Sequence, residues 1–200
     1  METLNTRVKT GVVRFSYPHL FEKWAFDDTQ VPKYMLTLII RKDDEETLKP
    51  IADAYKSACE LGVQKFGKKF KPSALVRPQG SNYGLLIDCD ADPEKKDDEN
   101  YQGCYLMPLK STTKPAVMAL ETGRRELDKE EGEQVVYPGC YGKVTLSVYP
   151  YSNAATGISA SVNNVLKTKD GENFSGQVKA ELDFAEELEN LSDDDLFDLI

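Results

Sequence analysis

Between Tyr141 and Tyr151 the chain reads YGKVTLSVYPY. Alternate side chains of a strand share a face, and here the alternation sorts the residues cleanly. Gly142, Val144, Leu146 and Val148 fall on one side, a core face. Tyr141, Lys143, Thr145, Ser147, Tyr149 and Tyr151 fall on the other. Gly157 to Thr168, GISASVNNVLKT, is the expected hairpin partner, reached through a loop containing Asn153. Any fold for this chain must offer that hairpin a core on one side only.

Other segments repeat the strand chemistry. Thr10 to Phe21, TGVVRFSYPHLF, is rich in β-branched and aromatic residues and reads as a strand ending at Pro18. Lys33 to Arg41, KYMLTLIIR, is a long apolar run expected at the centre of a sheet. Tyr83 to Asp88 and Gly103 to Ser111 read as further strands, and Pro115 breaks the chain before AVMAL. One stretch is helical. Leu48, Ile51, Ala52, Tyr55, Ala58 and Cys59 recur at helical spacing, Asp43 or Asp44 caps the start, and Gly62 or Gly67 ends it. A basic loop with Lys68, Lys69, Lys71 and Arg77 follows. The inventory predicts a mainly β chain with one inserted helix. An OB-type β-barrel fits it, as do other small barrels.

The net charge of −9 is unevenly placed. Glu181 to Ile200 holds nine acidic residues and no Lys or Arg, so the rest of the chain is balanced. A second acidic run spans Asp88 to Glu99, and outside both segments bases exceed acids by five. The pattern predicts a folded domain over residues 1–178 and a disordered acidic tail over 179–200. No segment approaches the roughly 18 apolar residues of a membrane span, and the N-terminal METLNTRVKT lacks the apolar stretch of a secretory signal. Four cysteines without a CxxC pair and a lone His19 argue against zinc and for a reduced intracellular protein.

The polar face of Tyr141, Lys143, Tyr149 and Tyr151 carries rings, a cation and hydroxyls. Single-stranded nucleic acid needs such a surface: bases stack on rings, and cations and hydroxyls meet phosphates. An ordinary solvated strand face would use the same residue types. Arg14, Phe15, Tyr17 and Trp24 extend the set, with Trp24 expected in a polar loop. Lys33 flanks the central strand, and Lys110 and Lys114 follow CYLMP. If these elements converge, they line one groove.

Asp88, Asp90, Asp92 and Glu99 mimic the spacing of a calcium loop, but Pro93 stands where that loop turns on glycine. A solvated acidic loop is the simpler reading, and a two-metal nuclease would need a further ligand that nothing marks. There is no GxSxG, P-loop or HExxH, and Cys140 has no histidine to activate it.

TGVVRFSYPHLFEKW, YMLTLIIRKDD, YQGCYLMPLKSTTKP and VYPGCYGKVTLSVYPY, with GISASVNNVLKTKDGENFSG, resemble a family of bacteriophage single-stranded DNA-binding proteins. The resemblance covers residues 8 to 186. It implies an elaborated OB-type barrel that binds single-stranded DNA without strong sequence preference. The expected setting is phage replication or recombination in the bacterial cytoplasm, with no cofactor. The end of the chain, SDDDLFDLI, resembles the acidic tips of bacterial and phage proteins of this kind, which recruit replication and repair partners. Here Asp193, Asp194 and Asp195 would supply solvation and attraction to basic pockets, and Leu196 and Phe197 apolar anchors. Those tips end at or near Phe, whereas three residues follow Phe197. A homodimer stays open. Two rival readings are an acidic decoy that mimics DNA to inhibit a host DNA-processing enzyme, and a metal-dependent nuclease using Asp88, Asp90 and Asp92.

Overall fold

The computed structural model describes residues 4–123 and 125–174. The boundary expected after residue 178 and the tail beyond it lie outside the described residues. The strands are β1 (Arg7–Lys9), β2 (Val13–Trp24), β3 (Lys33–Arg41), β4 (Ile87–Asp88), β5 (Cys104–Ser111), β6 (Ala116–Ala119), β7 (Tyr141–Ser152) and β8 (Thr156–Lys169). Two helices join them, α1 (Glu45–Phe66) and the short α2 (Lys129–Val135). The sheet runs β4-β5-β3-β2-β7-β8-β6, with β1 added to β7 beside β2. β4 and β6 stand at its two ends, so the sheet is not closed by hydrogen bonds, although β5 packs against β8. The fold is mainly β and of the OB type expected, with α2 as a second helix beyond the one that the sequence predicts.

β7 and β8 form the predicted hairpin, paired from Tyr141 opposite Lys169 to Ser152 opposite Thr156, with register shifts after Tyr141 and after Thr145. Val144, Leu146 and Val148 are buried, as their alternation requires. β3 is central, pairing with β2 on one side and β5 on the other. α1 starts at Asp44, whose carboxylate accepts a hydrogen bond from the Thr47 amide at 3.0 Å. Its buried stripe of Thr47, Ile51, Ala54, Ala58 and Gly62 packs on the core face of β7. Gly62 allows the close approach: a Cβ there would meet the Phe70 ring at 2.1 Å.

The first strand departs from expectation. β2 does not stop at Pro18 but continues to Trp24, which ends a strand instead of sitting in a loop. Its register against β3 slips between Ser16 and His19. Tyr17 takes a φ of 47° within that irregularity, a backbone state that costs a side-chain-bearing residue about 1–2 kcal/mol. The slip separates two side chains that simple alternation placed together. Phe15 points into the core with 0% exposure, while Tyr17 points outward with 59%.

A small second cluster of Ile39, Cys89, Cys104 and Leu106 lies apart from the main core, with Tyr101 and Phe174 packed on it. The acidic loop folds beside it. Lys42 sits between Asp88 and Asp90 at 2.6 and 2.7 Å, and Asp90 also accepts from the Gly103 amide.

Candidate functional site

The site draws on strands that lie far apart in sequence, from β1 to β8. The C-terminal end of β5 and the turn after it bring Lys110 to Lys114 beside the first residue of β3, Lys33. Facing them are Tyr149 of β7, Ser161 to Asn164 of β8, and Arg7 of β1. Together they enclose a cleft of about 700 Å³. Four cations line it, and no carboxylate does. Among the described residues, none of the four forms an ion pair. Cations without carboxylate partners in a shared concavity raise the local potential and attract an anion.

Of the residues singled out in the sequence, Lys33, Lys110, Lys114 and Tyr149 share this lining. Trp24 stands at the edge, its register partner being Lys33. It is 39% exposed and stacks on His19 at 4.8 Å with the rings 9° apart. Phe26, exposed at 78%, meets it edge-on. Burial pushes the His19 imidazole below its usual pKa, which favours its neutral form. Tyr151 lies farther along β7 over its cross-strand partner Gly157. Burial, then the nearby phenols of Tyr83 and Tyr149, raise its pKa. A group of tyrosines thus stands at the hairpin end.

Other expected site residues lie elsewhere. Phe15 is core and has no face to offer a base, because its ring fills the space over Gly142. Arg14 is committed to the protein. It donates to the carbonyls of Gly139 and Glu172 and to Asn100 Oδ1, and its guanidinium lies 4.2 Å from the Phe174 ring centroid. That makes it a clamp on the last described residues. Tyr141 stands between Arg14 and Lys169, 5.5 and 4.5 Å from the ring centroid. It lines a different hollow, of about 360 Å³. Eight residues of strand put it about 26 Å from Tyr149. Lys143 lies between them, 4.0 Å from Glu46 at the start of α1. Tyr17 is exposed but is not part of the cleft lining.

Arg7, Ser161, Asn163 and Asn164 belong to the cleft, and sequence reasoning missed them. Arg7 sits in a three-residue strand too short to show periodicity, and the asparagines depend on a local register shift. The acidic loop resolves differently from a metal site. Asp88 and Asp90 hold Lys42, and Asp92 accepts from the Glu94 amide. Among the described residues, no group of three or more His, Cys, Asp or Glu is placed to hold a metal ion. No helix there is long and apolar enough to cross a membrane.

Residues 6–197 match the family described as "Enterobacter phage Enc34, ssDNA-binding protein". The chain belongs to this family. The chain is 27% identical to the single-stranded DNA-binding protein from bacteriophage Enc34, solved in complex with ssDNA. That match has a TM-score of 0.69 and covers 84% of this chain and 89% of the other. Another structure of the Enc34 protein matches with a TM-score of 0.65 at 27% identity, covering 90% of each chain. Protein p50 of Acyrthosiphon pisum secondary endosymbiont phage 1 is 25% identical over 190 residues, 95% of this chain and 98% of that protein.

Proposed function

We propose that this protein binds single-stranded DNA without catalysis and without strong sequence preference. It acts in phage DNA replication or recombination in the cytoplasm of the bacterial host. The observation that carries this reading is the carboxylate-free cleft, where Arg7, Lys33, Lys110 and Lys114 surround Tyr149. Cations held over a sheet beside exposed rings suit a strand whose phosphates are paired and whose bases are stacked. The complex of the Enc34 relative with ssDNA supports the same ligand. The acidic end of the chain, with Asp193, Asp194 and Asp195 before Leu196 and Phe197, recruits replication or recombination proteins and competes with DNA for the cleft.

Trp24 is the single tryptophan of the chain, and it adjoins Lys33. Titration with oligo-dT followed by its fluorescence tests the reading directly. Quenching that saturates, and that weakens as salt rises, is the expected result. No fluorescence change and no gel shift with oligo-dT at low salt would overturn it. Magnesium-dependent cutting of the strand would instead favour a nuclease.

A further inference from the structure

Asn163 and Asn164 are consecutive residues of one strand, yet neither faces the core. The reason is a bulge. Thr145 of β7 pairs with Asn164, but the next residue, Leu146, pairs with Val162, so Asn163 is an extra residue on β8. Val162 and Val165 on either side are buried, and the two asparagines between them share the outer side and line the cleft. Each is held by a hydroxyl from β7. Asn163 Nδ2 donates to Ser147 Oγ at 2.9 Å and Asn164 Nδ2 to Thr145 Oγ1 at 3.1 Å. These same β7 residues face the cations of β1, with Arg7 opposite Ser147 and Lys9 opposite Thr145. One row across the sheet runs Lys9, Thr145, Asn164, with cation and carboxamide two strand spacings apart, about 10 Å. The other runs Arg7, Ser147, Ser161, and Asn163 joins it diagonally through its bond to Ser147.

A carboxamide has two N–H donors and one carbonyl acceptor. With one N–H given to the hydroxyl, each asparagine keeps a donor and an acceptor side by side. Every base presents donors and acceptors along its Watson–Crick edge, so such a group suits any of them. In a duplex those edges are occupied by the partner strand, and only unpaired bases offer them. Phosphates, by contrast, are the same in either form. Resting on the single-stranded DNA reading above, we propose that Asn163 and Asn164 read the Watson–Crick edges of unpaired bases, and that this pair, rather than the surrounding cations, distinguishes a single strand from a duplex.

The test compares the parent and the variant Asn163→Ala/Asn164→Ala. The probes are oligo-dT, an abasic strand of the same length and a duplex of the same length. The variant is expected to bind oligo-dT about tenfold less tightly, equivalent to about 1.4 kcal/mol. Its affinity for the abasic strand and the duplex should stay at the parent's value. The salt dependence should not change, because no charge is removed. Equal loss on all three probes would show a merely structural role and overturn the proposal, as would no loss on oligo-dT. Should the double variant fail to fold by circular dichroism, Ser147→Ala serves, since it frees Asn163 without touching the cleft's charge. It is then expected to lose oligo-dT affinity selectively, and loss of no affinity or of all three equally counts against the proposal. A parent that binds neither oligo-dT nor the abasic strand at low salt would instead refute the functional reading itself.

Discussion

The ring of Phe15 occupies the space that a side chain on Gly142 would need, its Cζ lying 2.5 Å from where a Cβ would stand. The carbonyl of Leu166 closes the same position at 2.4 Å. Gly142 lies on the core face of β7, and Phe15 enters through the gap it leaves. Backbone cannot yield as a flexible side chain would. Gly142→Ala is therefore expected to overpack the site and destabilise the fold by about 1–3 kcal/mol. Urea denaturation measures this, and an unchanged midpoint would refute it. Phe15→Ala should cost more, about 3–5 kcal/mol.

The same pair marks what sequence could and could not reveal. Alternation along β7 separated core from solvent, and Val144, Leu146 and Val148 are buried while Tyr149 is out. Long runs such as β3 carried their own evidence. Alternation failed where the strand itself was irregular. The shift near Tyr17 leaves Phe15 in the core and turns Tyr17 outward, and the bulge at Asn163 turns two neighbours outward. Convergence was legible only in part. Lys33, Lys110, Lys114 and Tyr149 share the cleft, whereas Tyr141 shares a strand face with Tyr149 but stands at the other end. Arg14 has the chemistry of a phosphate ligand, yet protein oxygens hold it. No local pattern records which acceptors a guanidinium will find across the fold.

The cations of the cleft should meet phosphates as a set. Lys33→Gln, Lys110→Gln and Lys114→Gln combined should weaken oligo-dT binding regardless of base sequence. The slope of log affinity against log salt should fall by about 0.7 for each lysine–phosphate pairing removed, or about 2 in total. An unchanged slope removes these lysines from the site.

Tyr149 and Tyr141 should separate cleanly. Tyr149→Ala is expected to cost about 1–3 kcal/mol of single-stranded DNA binding, the range of one stacked base. Tyr141→Ala, in the other hollow between Arg14 and Lys169, should cost little affinity. Quantitative gel shifts on both variants decide it, and a larger loss at Tyr141 would place the strand along the opposite end of β7.

Alkaline pH should find a weak point at Lys167. Its side chain is fully buried, with Glu121 and Asp170 at 2.6 and 2.9 Å. Burial works against the ammonium, but the hydrogen bonds to the two carboxylates outweigh it and raise the pKa. The Tyr137 hydroxyl donates to Asp170 at 2.6 Å. Burial first, and that bond second, push Tyr137 up to about 12. Both groups thus hold their protons more tightly folded than unfolded. Their contribution is complete below about pH 10 and is lost as pH rises toward the folded values, because the unfolded chain releases its protons first. Tyr137→Phe should lower stability at pH 7 by about 1.5–3 kcal/mol through the lost bond to a charged carboxylate, yet flatten the decline between about pH 10 and 12. Thermal melts across that range test it, and an equally steep decline would exclude Tyr137.

The acidic end of the chain should compete with DNA. The 26 residues after Phe174 could span about 90 Å if fully extended, so length does not keep them from the cleft. Nine carboxylates from Glu181 onward meet no Lys or Arg in that segment, while the cleft offers four cations without carboxylates in its lining. Aspartates and phosphates are anions seeking the same partners, and the contest in a wet groove is screened within about 10 Å at 0.1 M salt. Deleting Ser192 to Ile200 is expected to tighten oligo-dT binding at low salt, with the gain shrinking as salt rises. Phe197→Ala keeps every aspartate, so DNA affinity should stay at the parent's value while recovery of replication or recombination proteins in pull-downs falls. If the deletion leaves low-salt affinity unchanged, the competition does not occur. If full-length and shortened protein recover the same partners, recruitment lies elsewhere on the surface.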